Sequence, residues 1–193
     1  MRVLAGFLTV FGIACLLLSA YLIYERTNPN NLAFSDFVQE GNEGQNFGKT
    51  QPLAITLPTL KKTLPIFPAI VSKDSWQTSP SGVSYLSSSP LPGEKGNSIL
   101  YGHNWPNLLG SLAKMKPGDR IEIAFSDGSI REFVVAYTTT VNPGQVEILK
   151  DSEDSRLTLY TCTGFLDSKR FVVTAKLKIP LNSKSETIPK FKY

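Results

Sequence analysis

Histidine occurs once in this chain, at His103, and cysteine only twice, at Cys15 and Cys162. A single imidazole excludes a multi-histidine metal site. Two thiols exclude both a disulfide framework and a cysteine-rich zinc module. The chain also lacks any run of five like charges, and its net charge of +4 is spread along its length. The electrostatic footprint of a nucleic-acid-binding protein is therefore missing. No internal repeat is present. What is there is ordinary for a folded protein: 193 residues with 41% hydrophobic and 19% charged side chains. That length fits one domain with attachments. Any chemistry must run on very few reactive groups.

The attachments sit at the ends. Residues 3–24 are uncharged and apolar, long enough at roughly 33 Å to span a bilayer as a helix. A secretory signal has a shorter apolar core and a small-residue cleavage box. Here Tyr21, Tyr24, Glu25 and Arg26 follow instead, and Gly12-Ile13-Ala14-Cys15 makes a poor lipoprotein box, so Cys15 reads as a lipid-facing or helix-packing residue. Arg2 and the amino terminus bias the orientation towards a cytoplasmic N-terminus, with the rest of the chain outside the cell. Four segments are expected: a cytoplasmic tip with transmembrane helix (1–26), a polar Asn/Gln/Gly-rich stalk (27–51), a folded domain (52–180) and a solvated basic tail (181–193) carrying Lys184, Lys190 and Lys192. Leu32, Phe34, Phe37 and Val38 are the stalk's candidates for a short helix.

Beyond residue 52 the pattern alternates with period two, which predicts strands over 53–57, 64–70, 98–101, 120–125, 130–138, 157–161 and 171–179. Asp127-Gly128 closes a hairpin between two of them, and Lys116-Pro117-Gly118-Asp119 introduces another strand. Residues 107–115 read as one short helix, because Leu108, Leu109, Leu112 and Met115 share a face. Seven or eight short strands in about 130 residues imply a barrel or a sandwich.

His103 and Cys162 both fall at strand ends, and Arg170 opens the last strand after a seven-residue connection. A lone cysteine is usually a small buried hydrophobe, and a lone histidine is usually a satisfied half-buried group. Arg170 has a bland alternative too, as a surface cation pairing with Asp167 or Glu153. Yet Cys162 is the only thiol outside the apolar run. A free thiol in an oxidising compartment is better explained if it is needed.

The Tyr101-Gly102-His103 turn, the Thr158-Leu159-Tyr160-Thr161-Cys162 stretch and Arg170 ahead of a hydrophobic strand resemble the sortases. These are membrane-anchored cysteine transpeptidases of bacterial cell surfaces, and the resemblance covers about residues 52–179. It implies a mainly β fold, an eight-stranded barrel with short helices behind one N-terminal transmembrane helix. His103, Cys162 and Arg170 would then surround one groove as the catalytic set, with no cofactor. The implied substrates are surface proteins bearing a Leu-Pro-x-Thr-Gly-like sorting signal, cleaved between Thr and Gly. The acyl group would pass to an amine, on a peptidoglycan precursor or a protein lysine.

By the same resemblance, loop 140–155 forms a groove wall in which Val141, Pro143, Val146, Ile148 and Leu149 grip Leu-Pro. Thr161, beside the thiol, is a further substrate contact. Core packing is the alternative for about half of the apolar set. Val83, Leu86 and Leu91 add to the wall or are loop. Some sortases bind calcium between the loops that precede the Arg120 and cysteine strands. Here Asp119 stands beside two lysines, and Glu147, Asp151, Glu153 and Asp154 lack partner carboxylates, so no calcium or other metal dependence is expected. No lid with an Asp-Pro plug precedes the barrel, which argues against a pilin polymerase. The competing reading is a membrane-tethered β-barrel binding module, or a degenerate sortase whose thiol is not catalytic.

Overall fold

The computed structural model describes residues 2–34, 50–72 and 75–178. Most of the expected stalk, with Phe37 and Val38, and the tail with Lys184, Lys190 and Lys192 lie outside the described residues. Helix α1 (Arg2–Thr27) contains a 20-residue stretch, Gly6–Glu25, long and apolar enough to cross a membrane. Its apolar side chains, from Phe7 to Tyr24, are exposed rather than packed on the rest of the chain. A 3-10 turn (Pro29–Leu32) follows directly.

The domain is a closed barrel built on alternating side chains. Its strands are β1 (Pro52–Leu57), β2 (Lys62–Ala69), β5 (Val83–Leu86), β6 (Gly96–Tyr101), β7 (Arg120–Phe125), β8 (Ile130–Val141), β9 (Ser155–Thr163) and β10 (Lys169–Leu177). A separate two-stranded sheet, β3 (Val71–Ser72) with β4 (Ser75–Trp76), lies between β2 and β5. Around the barrel the order is β1-β2-β5-β6-β9-β10-β8-β7, and β7 closes back on β1. Closure leaves no unpaired edge. The pairs β2–β5 and β6–β9 are parallel and the others antiparallel. The hairpin β7–β8 follows its sequence: Ile121, Ile123 and Phe125 point inward, Gly128 takes φ +81°, and the Asp127 carboxylate accepts from the Ser129 N–H (2.9 Å).

Period two also separates two apolar clusters. Leu100 of β6, Leu157 and Leu159 of β9, and Val173 and Ala175 of β10 fill the barrel interior with Ile55, Ile121, Ile123 and Phe133. The intervening residues Ile99, Tyr101, Tyr160, Cys162 and Val172 face outward into a second cluster, with Trp76, Leu86, Val141 and Leu149. Strands β6 and β9 are buried on both faces, and their buried polar residues Asn97, Ser98, Thr158 and Thr161 lie among apolar ones.

Two sequence expectations are corrected. Residues 107–115 are not an α-helix but turns ending in a 3-10 segment (Leu112–Lys114). The N–H groups of Leu108 and Gly110 both bond to the Trp105 carbonyl, and a Cβ on Gly110 would lie 2.5 Å from the Asn104 oxygen. That tight crossing needs glycine and cannot continue a helix. The apolar set is nonetheless used, since Leu108, Leu109, Leu112 and Met115 are all buried in the interior cluster. Val83–Leu86, left as wall or loop by its Ser/Pro-rich surroundings, is a fully buried strand.

Asn97 anchors the 142–154 connection to β6. Its amide donates to the carbonyls of Ile148 (2.9 Å) and Lys150 (3.0 Å), and its Oδ1 accepts from the Thr158 hydroxyl (2.7 Å). Asn97→Leu leaves these buried partners unsatisfied. The expected cost is about 1–3 kcal/mol, measured as a lowered urea midpoint with unchanged m value.

Candidate active site

Cys162 and Arg170 are cross-strand partners on β9 and β10, and Arg170 is in turn the partner of Val141 on β8. Directly opposed side chains on one face lie about 4.5–5.5 Å apart at Cβ. The parallel β6–β9 register runs to Tyr101↔Tyr160, with the Gly102 N–H donating to the Tyr160 carbonyl (3.3 Å). Two residues further along each strand come His103 and Cys162. Three adjacent strands thus deliver histidine, cysteine and arginine to one end of the barrel.

Arg170 is buried, yet among the described residues no carboxylate forms an ion pair with it. It donates from Nη1 to the carbonyls of Asp167 (2.8 Å) and Lys169 (3.0 Å) and from Nη2 to that of Ala33 (2.8 Å). Its Nε is buried without a partner among the described residues. The surface-cation alternative for Arg170 is thereby set aside. The Asp167 carboxylate turns the other way and accepts from the Asn104 amide (2.8 Å), stapling the loop after His103 to the loop after Cys162.

His103 is also buried. Its ring stacks on Trp105 (4.4 Å between centroids, 8° between planes), and its Nε2 lies 3.2 Å from the Thr78 hydroxyl. Burial pulls the imidazole below its ordinary pKa, with the Asp167 charge opposing. Thr78, Asn104 and Trp105 were not singled out from sequence. Only the adjacency of Asn104 and Trp105 to His103 hinted at them. Because the chain has a single histidine, its titration is readable without assignment. Trp105→Ala rehydrates the ring, so the pKa should climb towards 6.5, followed by the imidazole proton shift in NMR. A titration curve unchanged from the parent would count against the stack as the desolvating wall.

The thiol is covered by the chain that follows α1. Cys162 Sγ donates to the Asn31 carbonyl (2.8 Å), and the Tyr160 hydroxyl donates to the Leu32 carbonyl (3.3 Å). Leu32 and Phe34 are 0% and 2% exposed. The Phe34 ring meets Tyr160 edge-on at 5.1 Å and lies 6.3 Å from Trp76, while Tyr101 stacks on Tyr160 at 5.5 Å. Residues 29–34, expected in a polar stalk, are therefore packed onto the domain. Burying Leu32 and Phe34 drives this, and the surrounding Asn and Gln composition masks it. Burial pushes the Cys162 thiol up to about 12, Arg170 opposing and Asp167 assisting. Burial thus disfavours the charged form of both groups.

The expected wall residues divide. Val141 and Leu149 are buried in the outer cluster with Cys162, and Val146 and Ile148 pack partly buried against it. Pro143 is half-buried and outside that cluster. Thr161 points to the other side of β9 from the thiol. Its hydroxyl donates to the Gly102 carbonyl (2.7 Å), so it positions the His103 turn instead of facing the groove.

Fold and site together define a β-barrel protein, carrying a potential membrane span, with a Cys–His–Arg cluster at one barrel end. Residues 55–178 match the family model described as the sortase domain, which is most of the chain. The chain belongs to the sortase family. It is 30% identical over 127 residues to sortase A of Bacillus anthracis, a match covering 64% of this chain and 58% of that relative. The matched region therefore spans less than two thirds of the relative's length. The crystal structure of Listeria monocytogenes sortase A is 28% identical with a TM-score of 0.54, covering 67% of this chain and 89% of that one. Sortase A from Corynebacterium diphtheriae shares the fold at a TM-score of 0.62 and 22% identity, covering 86% and 83% of the two chains.

Proposed function

We propose that this chain is a membrane-anchored sortase that cleaves a Leu-Pro-x-Thr-Gly-like sorting signal and transfers the acyl group to an amine. Cys162 is the nucleophile, His103 the general acid and base, and Arg170 the oxyanion or substrate-backbone cation. The observation that carries this reading is the cross-strand pair Cys162–Arg170 with His103 at the end of the neighbouring strand. The Cys162 thiolate attacks the threonine carbonyl. The tetrahedral oxyanion lies within reach of the Arg170 guanidinium, whose Nε has no partner among the described residues. Collapse breaks the C–N bond, the imidazolium gives its proton to the departing glycine amine, and a thioester remains. The incoming amine then loses a proton to the imidazole as its C–N bond forms, and the thiolate leaves.

The partners in this reading are surface proteins with the sorting signal and an amine on a peptidoglycan precursor or protein lysine. Helix α1 holds the enzyme in the cell membrane with its N-terminus cytoplasmic and the barrel outside. Val141, Leu149, Val146 and Ile148 contribute the apolar wall. The test incubates the detergent-solubilised chain, with and without residues 1–49, with Leu-Pro-x-Thr-Gly and Leu-Ala-x-Thr-Gly peptides plus an amine. Mass spectrometry should find a thioester on Cys162 and a peptide–amine product. No adduct from a folded barrel would sink the enzyme reading in favour of a binding module.

A further inference from the structure

The β9–β10 loop carries two neighbouring apolar side chains with little cover. Phe165 is 85% exposed and Leu166 53%. Gly164 opens the loop at φ +82°, and Leu166 (φ 49°) and Asp167 (φ 58°) both hold left-handed conformations, which L-residues seldom adopt. Neither Phe165 nor Leu166 belongs to the barrel interior or to the groove cluster.

The same loop faces the end of α1. A cavity of about 300 Å³ is lined by Leu22 and Glu25 of α1, by Asn31 and Asn104, and by Gly164, Leu166 and Asp167. Leu22 and Glu25 belong to the last turn of the stretch able to cross a membrane. Exposed Tyr21 and Tyr24 flank them. Tyrosines at a helix end sit at the depth of the lipid headgroups. A loop that meets α1 at this level lies at that depth when α1 spans a bilayer.

We propose that Phe165 and Leu166 form a membrane-contact tip that rests the mouth of the groove on the lipid–water interface. The occupant is the bilayer surface rather than a second protein, because the tip is continuous with the helix that crosses it. An aromatic and an aliphatic side chain on a short loop suit the boundary between headgroup and acyl chain. Cys162 lies two residues before Gly164. Asp167 bonds to Asn104, next to His103. The tip is thus tied to both reactive side chains, and the groove is fed from the membrane side.

The test uses the full chain in phosphatidylcholine vesicles containing nitroxide-labelled phosphatidylcholine. Three proteins each carry one environment-sensitive thiol label. The first is labelled on native Cys15 in a Cys162→Ala background. The others carry Phe165→Cys or Ile130→Cys with Cys15→Ser and Cys162→Ala. Ile130 is 66% exposed at the far end of β8 from Val141, roughly 36 Å away along the strand. The expected result is strong quenching of the Cys15 label by deep nitroxides, of the Phe165 label by shallow ones, and of the Ile130 label by neither.

Equal, weak quenching at Phe165 and Ile130 with a quenched Cys15 label overturns the proposal. So does a Phe165 label shielded from aqueous iodide but untouched by lipid nitroxides, since protein would then cover the tip. An unquenched Cys15 label removes the membrane span and the proposal with it. The peptide assay in detergent reads the enzyme separately, so a failure of either reading is distinguishable.

Discussion

His103→Ala is expected to lower kcat/KM for peptide cleavage by about 10²–10⁴-fold, the range for losing a positioned acid–base group. With one histidine in the chain, no other imidazole can substitute. The pH profile separates this role from a structural one. Burial lowers the His103 pKa and raises that of Cys162 to about 12, so both groups are neutral between the two values. Moving a proton from thiol to imidazole leaves the net protonation unchanged. The thiolate–imidazolium fraction is therefore constant across that window, and the parent's kcat/KM, which needs thiolate and imidazolium together, should be flat around neutrality. On the acid side it falls as pH drops through the lowered histidine value and imidazolium forms without thiolate. In His103→Ala the thiolate must form by loss of the proton to water, so the residual kcat/KM should climb tenfold per pH unit. A variant that keeps a flat profile would exclude His103 as the thiol's partner. Initial rates of peptide cleavage across pH measure both, and alkylation of Cys162 by iodoacetamide, followed by mass spectrometry, reads the thiolate alone.

Substituting Leu32 and Phe34 together by alanine should speed that alkylation on the order of 10²-fold at neutral pH. Both side chains are buried in the outer cluster with Cys162, and the carbonyl of neighbouring Asn31 receives the Cys162 S–H. Without them, residues 29–34 lose the apolar area that holds them down, about 1.5–3 kcal/mol per side chain. Water then reaches the sulfur and removes most of the desolvation that keeps it protonated. The inflection in reactivity should move down from about 12 towards the ordinary thiol range. Barrel stability should change little, because the interior cluster contains neither residue. An alkylation rate equal to the parent's would mean that these residues do not control access to the thiol.

Much of the site was legible because strands are local. The alternation of Leu157, Leu159 against Tyr160, Cys162 is written in the chain, as is the Asp-Gly turn, and closure of the barrel only places these runs side by side. The strand register that sets Arg170 against Cys162 needs no more than a seven-residue connection between neighbouring strands. The apolar spacing of residues 107–115 suits a helix, while the close approach of Gly110 to the Asn104 carbonyl that prevents one is visible only in three dimensions.

The sequence by itself determined the β architecture, the apolar N-terminal helix and the poverty of reactive groups that leaves His103 as the sole imidazole. These follow from periodicity and composition, which each residue carries wherever the chain goes. Only the tertiary structure decided that Thr161 serves the His103 turn, that Thr78 and Trp105 hold the imidazole, and that residues 29–34 lie over the thiol. Apart from the Trp105 stack, two positions from His103, those contacts join segments 25 to 131 positions apart. Their strength comes from burial and hydrogen-bond geometry, neither of which exists until the barrel has closed.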